Sequence, residues 1–446
     1  MFSIDTLQLR LPDIEWVTSK IHIKRLSKDF YWFSPLLTPL LAKKKADIIA
    51  RPKNESELKA LISVCVDLDI PLTVRGGGTG NYGQAVPLLG GVVVDMIALK
   101  TCKWISDGVI QVQAGMRMGE LENLTRQHGW ELRCMPSTYK AASIGGLFAG
   151  GFGGIGSVNY GPVATSGTVQ RARILTIEQY PRVIDISGDE LLTYHHTYGT
   201  NGIILELQLV LTPARDWSEY LMEFASLENA YTFCRALLDS AGMDKREISL
   251  YDGVAASYFK DIPVQIAPER FYVITLIASN CRVPFMELSA KHSGTIAWHQ
   301  SFDEANKSGL TLMEHCWNHS TLQALKHDKN FTNLQTNYDD TCVLEQLKEV
   351  KKETNSEVLI HLEFIRNAQS KILITGLPLV KYTSDQRLLD IIEIHRRLGI
   401  KVNNSHTYFL EDGKHGGALD QAILDSKSSN DPYNLLNPGK IRMLDN

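Results

Sequence analysis

Crowded glycines constrain this chain more than any other feature of its sequence. Residues 76–91 hold 7 glycines and residues 145–167 hold 9, so 16 of the 33 fall within 39 positions. Glycine reaches positive φ at no steric cost and lets another group approach the backbone amides closely. Two such loops in one region imply either one extended polar ligand held between them or a pair of structural turns. The flanking pattern places the first loop. Apolar residues repeat at helical spacing over residues 55–68, Pro71 stops the helix, and residues 72–75 read as a short strand. Further strands are expected at 92–95 and 109–114, with a helix over 118–128.

Gly78-Thr79-Gly80-Asn81-Tyr82-Gly83 satisfies G-x-G-x-x-G formally, but its context does not fit a Rossmann site. There the last glycine opens a helix that receives the pyrophosphate, whereas here Pro87, Gly90 and Gly91 interrupt the chain before the next strand. No G-x-x-x-x-G-K-[ST] is present. What remains is a run of backbone N–H groups from Gly76 to Asn81 that can fold as an anion-binding nest without a helix.

Composition narrows the class. With 446 residues, 44% hydrophobic and 22% charged, the chain is long enough for two to four domains and is neither fibrous nor disordered. A net charge of −4 gives no excess that would make nucleic acid the main partner. Seven cysteines without a C-x-x-C pair suit a reducing compartment, and the N-terminal residues do not read as a secretion signal, so a cytoplasmic location is expected. Residues 30–42 are apolar but contain two prolines and are too short to span a bilayer. Lys43, Lys44 and Lys45 follow, so this stretch is either a packed arm or a peripheral contact with a membrane surface. Beyond about residue 213, helical patterns at 227–240, 311–327, 344–354 and 384–398 alternate with strands at 271–278, 358–364 and 371–375. This is a second α+β domain, and no long Gly/Ser linker separates it from the first.

Five segments in order, RPKNESELKALI, PLTVRGGGTGNYGQAVP, PSTYKAASIGGLFAGGFGGIGSVNYGP, YGTNGIILELQLVLTP and DPYNLLNPGK, resemble the FAD-binding domain of the vanillyl-alcohol oxidase superfamily. The chain looks most like its glycolate oxidase and D-lactate dehydrogenase flavoprotein branch. The resemblance implies an α+β fold: a PCMH-type FAD-binding domain of two α+β lobes, plus an α+β substrate (cap) domain with an antiparallel sheet flanked by helices. The expected boundaries are an N-terminal arm at 1–44, the FAD-binding domain at 45–213, the cap at 214–400 and a C-terminal segment at 401–446 returning to the flavin. By the same resemblance, Arg75 leads into the loop. Gly76, Gly77, Gly78, Thr79, Gly80 and Asn81 would wrap the pyrophosphate, with Gln84 close by. Pro136, Ser137 and Thr138, then Ala142, Ser143, Ile144, Gly145 and Gly146, would hold the ribityl and pyrophosphate region. Gly202, Ile203 and Ile204 would meet the adenine side or the ring edge. Some members attach the flavin to a histidine in or near the first loop. Neither glycine loop contains one here, so non-covalent FAD is expected.

Such a flavoprotein removes a proton from an alcohol while a hydride passes to the flavin, so a base is needed. His406, in Asn403-Asn404-Ser405-His406, resembles an Asn-x-His element near the substrate in some members; the alternative is a histidine that ties a loop. Period-two alternation puts His361 and Glu363 on one strand face, as a base with its orienter, half a metal site, or a polar solvent face. The Gly-Asp-Gly that accompanies a metal-binding histidine pattern in this branch is missing, so no metal is expected. His315 and His319 share one face of the expected 311–327 helix, as core, substrate contacts or metal ligands, with Trp317 in the core. The reaction implied is oxidation of an alcohol group, foremost of a 2-hydroxy acid, with an unidentified electron acceptor. A sugar or aldonolactone oxidase, a non-catalytic FAD-carrying subunit, or FAD use without net redox, as in ether-lipid synthase relatives, are the alternatives.

Overall fold

The computed structural model describes residues 3–165, 167–367, 369–413 and 417–444. Its first sheet has four strands. Ile48–Arg51, Val92–Asp95 and Leu72–Arg75 run parallel, and Glu15–Val17 adds an antiparallel edge. The helix Glu55–Asp67 connects two of these strands. Asn54 caps it by accepting from the Glu57 N–H, the Glu57 carboxylate accepts from the Lys53 N–H, and Leu58, Leu61, Ile62 and Cys65 face the core. The step from Leu72–Arg75 to its parallel neighbour Val92–Asp95 is made by the first glycine loop, where a parallel crossover ordinarily holds a helix.

The second sheet has six antiparallel strands. Cys102–Ser106, Val109–Gln113, Ile203–Pro213, Val169–Leu175 and Val183–Ser187 lie in that order, with Trp130–Leu132 paired to the far end of Ile203–Pro213. The helix Ile144–Gly150 lies against it, and its residues Ile144, Leu147 and Phe148 enter the same apolar cluster as Ile204 and Leu207.

The third sheet has eight strands, in the order Thr295–Gln300, Trp217–Phe224, Phe271–Ala278, Lys245–Asp252, His361–Arg366, Ile372–Gly376, Gln335–Tyr338 and Lys401–Asn403. Leu227–Asp239 and Arg282–Lys291 cover one side. The last strand lies beyond residue 400, so this sheet takes in the start of the C-terminal segment. A small sheet of Phe331–Asn333, Leu379–Lys381 and Val358–Leu359 accounts for one departure from the sequence reading. The expected strand at 358–364 is two strands that part at Ile360 and join different sheets.

The arm packs against the first glycine loop. The Phe30 N–H donates to Gly80 O at 2.7 Å, and Asp29 accepts from the N–H groups of Tyr31 and Ala85. The C-terminal segment holds the loop from another side. Asn437 Nδ2 donates to Gln84 O at 3.0 Å, and the buried Lys440 ammonium donates to Gly83 O. Burial pushes Asp29 up to about 6 and Lys440 down to about 7, with each moderating the other.

Candidate functional site

A cavity of about 530 Å³, within the range of cofactor and ligand sites, opens between the two glycine loops and the eight-stranded sheet. The nest in its wall is built by contact of backbone with backbone. A Cβ on Gly77 would lie 2.1 Å from Ala141 O, and one on Gly76 would lie 2.0 Å from Ser143 Oγ, so residues 76–77 meet residues 141–143 only as glycines. Gly78 has φ +64°. Among the described residues, the N–H groups of residues 76–81 donate to no protein acceptor, although these residues line the cavity. A run of six amide donors is what two phosphates require, and the residues present therefore fit the pyrophosphate of a dinucleotide.

Gly76, Gly77, Gly78, Thr79, Gly80, Asn81, Gln84, Pro136, Ser137, Thr138, Ala142, Ser143, Gly145, Gly146, Gly202, Ile203 and Ile204 all line the cavity. Gln84 also bridges the loops, its Nε2 donating to Gly150 O at 2.9 Å. Arg75 and Ile144, expected beside them, do not line it. The Arg75 guanidinium turns to donate to Lys28 O at 2.6 Å, and Ile144 packs into the core under the helix it begins. Other wall residues gave no sequence signal. His195, His196 and Tyr198 reach the cavity because residues 195–199 dock on the helix Ile144–Gly150, with His196 N donating to Phe148 O and Tyr198 N to Ala149 O. His196 and Tyr198 take positive φ to do so.

The five ionisable candidates, His315, His319, His361, Glu363 and His406, lie outside the wall. His406 ties the arm to the C-terminal segment: its Nδ1 is 2.9 Å from Ser34 Oγ, and burial pushes it down to about 4. His315 and His319 do not share a helix. A 3₁₀ turn, Leu312–His315, ends before Cys316, Trp317 takes φ +52°, and a separate helix begins at His319. Burial pushes both histidines down to about 4.

His361 and Glu363 do share a face, which is buried rather than solvated. His361 Nε2 lies 2.8 Å from Glu363 Oε1, and the Tyr251 ring stacks on the imidazole at 4.3 Å. Glu363 also accepts from Ser249 Oγ at 2.6 Å and from the Trp317 N–H at 2.6 Å. Burial pushes His361 down to about 3 and Glu363 up to about 7. Glu247, beside Glu363, is raised further by burial and by that second carboxyl.

Trp317, expected in the core, is buried in the main apolar cluster and also lines the cavity, though on a turn and not within a helix. Its turn is held by its backbone N–H on Glu363 and by its indole N–H on Glu247 Oε2 at 3.3 Å. The remaining wall, on the side of the eight-stranded sheet, carries amides and hydroxyls: Asn318, Gln335, Thr336, Asn337, Thr375, Asn403 and Asn404, with Leu377. Among the described residues, no group of three or more His, Cys, Asp or Glu is placed to hold a metal ion.

Residues 46–178 match a family of FAD binding domains. A D-lactate dehydrogenase of Archaeoglobus fulgidus is 26% identical over 239 residues, covering 49% of this chain and 52% of that protein. The glycolate oxidase subunit GlcD of Escherichia coli K12 is 28% identical over 192 residues, covering 41% of this chain and 38% of that subunit. The chain thus spans about half or less of the length of these curated relatives. An alkyldihydroxyacetonephosphate synthase structure superposes with a TM-score of 0.73 at 14% identity, covering 99% of this chain and 86% of that one, which shows a shared fold. The match and the nest agree on the ligand, and residues 46–178 are an FAD binding domain.

Proposed function

We propose that the protein is an FAD-dependent oxidoreductase that oxidises an alcohol group, in the manner of the D-lactate and glycolate enzymes named by its relatives. The observation that carries this reading is the continuous cavity, which joins the free amides of residues 76–81 to a polar wall on a second domain. FAD, when bound, supplies a hydride acceptor for the carbon that bears the hydroxyl. The nest holds the pyrophosphate, and Pro136, Ser137 and Thr138 with Gly145 and Gly146 let the rest of a long ligand lie against backbone. The cap-side amides orient the alcohol.

Strand register supports one route for its proton. Glu363 is the direct cross-strand partner of Thr375, whose hydroxyl lines the cavity and donates to Asn337 Oδ1 at 2.7 Å. For the proton to travel inward, the Thr375 hydroxyl must turn from Asn337 to Glu363, whose carboxylate is held in place by His361, Ser249 and the Trp317 N–H. A carboxyl raised to about 7 is poised for that exchange near neutral pH.

Anaerobic mixing with hydroxy acids and other alcohols should bleach the flavin. Glu363→Gln should keep its FAD and slow the bleaching by roughly 100-fold to 10,000-fold, the usual cost of losing a general base. No bleaching by any alcohol would defeat the oxidation reading, and an unchanged rate in the variant would defeat the proton route. Acid precipitation should leave the flavin in the supernatant, since attachment to the protein is not part of this reading.

A further inference from the structure

The cap-side wall is a patterned array. Gln335 pairs with Asn403, and Asn337 with Thr375, across neighbouring strands, and Gln335 and Asn337 are two residues apart on one strand. All four side chains therefore leave the same face of the sheet. Asn318 and Asn404 join them at the cavity from the adjoining turns. The protein uses only part of their hydrogen-bonding capacity. Asn404 Oδ1 accepts from the His406 N–H at 2.9 Å, which turns its NH₂ elsewhere, and Asn337 spends its oxygen on Thr375. The half-buried Gln335 side chain and the exposed Asn403 side chain make no hydrogen bond to the described residues.

A primary amide offers donors and an acceptor together, as a hydroxyl group does. A carboxylate accepts only, and it is matched best by arginine or lysine. Among the described residues that line the cavity, none is Arg, Lys, Asp or Glu. Spacing adds a measure of size: cross-strand and same-strand neighbours set the four sheet positions over a patch of about 5 by 7 Å, the reach of a chain of roughly four to six carbons. Trp317 supplies an apolar surface beside the array against which C–H groups can pack.

The geometry points to a polyhydroxylated substrate, an alcohol or hydroxy acid whose several further hydroxyls are read by the array of Gln335, Asn337, Thr375 and Asn403. This rests on the reading of the cavity as an alcohol-oxidising flavin site and narrows it. Binding is measured by calorimetry on holoprotein whose flavin has first been reduced with dithionite, so that turnover does not intervene, and reduction is followed separately by anaerobic bleaching.

The probes are xylitol and D-gluconate against glycolate and D-lactate; the first two share the hydroxyl chain and differ in the carboxylate. Xylitol, D-gluconate or both should bind at least about tenfold more tightly than the small acids. Asn337→Leu, with unchanged FAD content, should lose about tenfold for the polyol that binds, a larger loss than it causes for D-lactate, the effect of one or two further hydrogen bonds. Asn403→Ala, at an exposed strand end, is the second variant should the first fold poorly.

Tighter binding of glycolate or D-lactate, or an equal loss for all ligands in the variants, overturns the inference while leaving alcohol oxidation standing. Binding of neither polyol also overturns it. A polyol that binds but never bleaches the oxidised flavin supports the ligand class read by the array and defeats the oxidation reading instead.

Discussion

His315 is 1% exposed, its ring sits 4.8 Å from that of Phe259, and its Nδ1 has no hydrogen-bond partner among the described residues. Burial holds it neutral down to about pH 4, whereas in the unfolded chain it titrates near 6.5. Between those values the unfolded state binds a proton that the native state does not. This residue's contribution is therefore intact above about 6.5 and is lost as the pH falls toward 4. His315→Gln removes the effect. Urea unfolding of parent and variant from pH 4 to 7 should show the parent losing about 1.4 kcal/mol per pH unit more than the variant across that window. Parallel pH profiles would show that the ring titrates in the native state as it does in the unfolded chain. The same physics explains why histidines named from the sequence as bases stand back from the cavity: a neutral, low-basicity imidazole is an inexpensive thing to bury, and His406 and His319 are buried in that form.

Helical periodicity over residues 311–327 resolves into a 3₁₀ turn, a left-handed tryptophan and a nine-residue helix. What overrides the local preference is the carboxylate of Glu363, on a strand 46 residues further on, which accepts the Trp317 N–H. A tryptophan at positive φ is strained and persists only where such partners fix it. Glu363→Gln keeps an oxygen for that N–H and an amide that Ser249 can accept from, so its stability should fall by less than about 1.5 kcal/mol. Glu363→Ala leaves Trp317 N–H, Ser249 and His361 without their partner and should cost about 3 kcal/mol or more in denaturant unfolding. Equal losses in the two variants would mean that the side-chain volume, not its oxygens, holds the turn.

Arg246, on the strand Lys245–Asp252, reaches from the eight-stranded sheet to the helix Met118–Gln127. It donates to Glu122 Oε1 at 2.8 Å and to Leu132 O at 3.2 Å. Both partners of the ion pair are buried. Arg246→Met would strand a buried carboxylate, so a loss of about 3 to 5 kcal/mol is expected in chemical unfolding. Pairing it with Glu122→Leu should recover part of that loss, since two apolar residues of similar volume replace two buried charges. Failure of the double variant to recover anything would indicate that Arg246 acts through Leu132 and its packing.

Local rules made much of this protein legible from its residues alone. Glycine runs, Pro71 and the capped helix Glu55–Asp67 are decided within a few positions of chain, and Leu72–Arg75, Val92–Asp95 and Phe271–Ala278 fall where alternation and breakers put them. The run of cavity-lining amides at residues 76–81 was equally legible, because their availability depends on glycine and not on a distant partner.

The cap-side wall was not. Asn337, Thr375 and Asn403 stand 28 to 66 residues apart and carry no motif, and only the pairing of three strands brings them to one face. The positions of Arg75, His361 and Trp317 depended likewise on groups far along the chain, each satisfying a hydrogen bond that water could no longer supply after burial. Sequence by itself determined the glycine loops, where the chemistry is local; tertiary structure alone decided which side chains face the cavity, because burial and strand register are properties of contacts between distant segments.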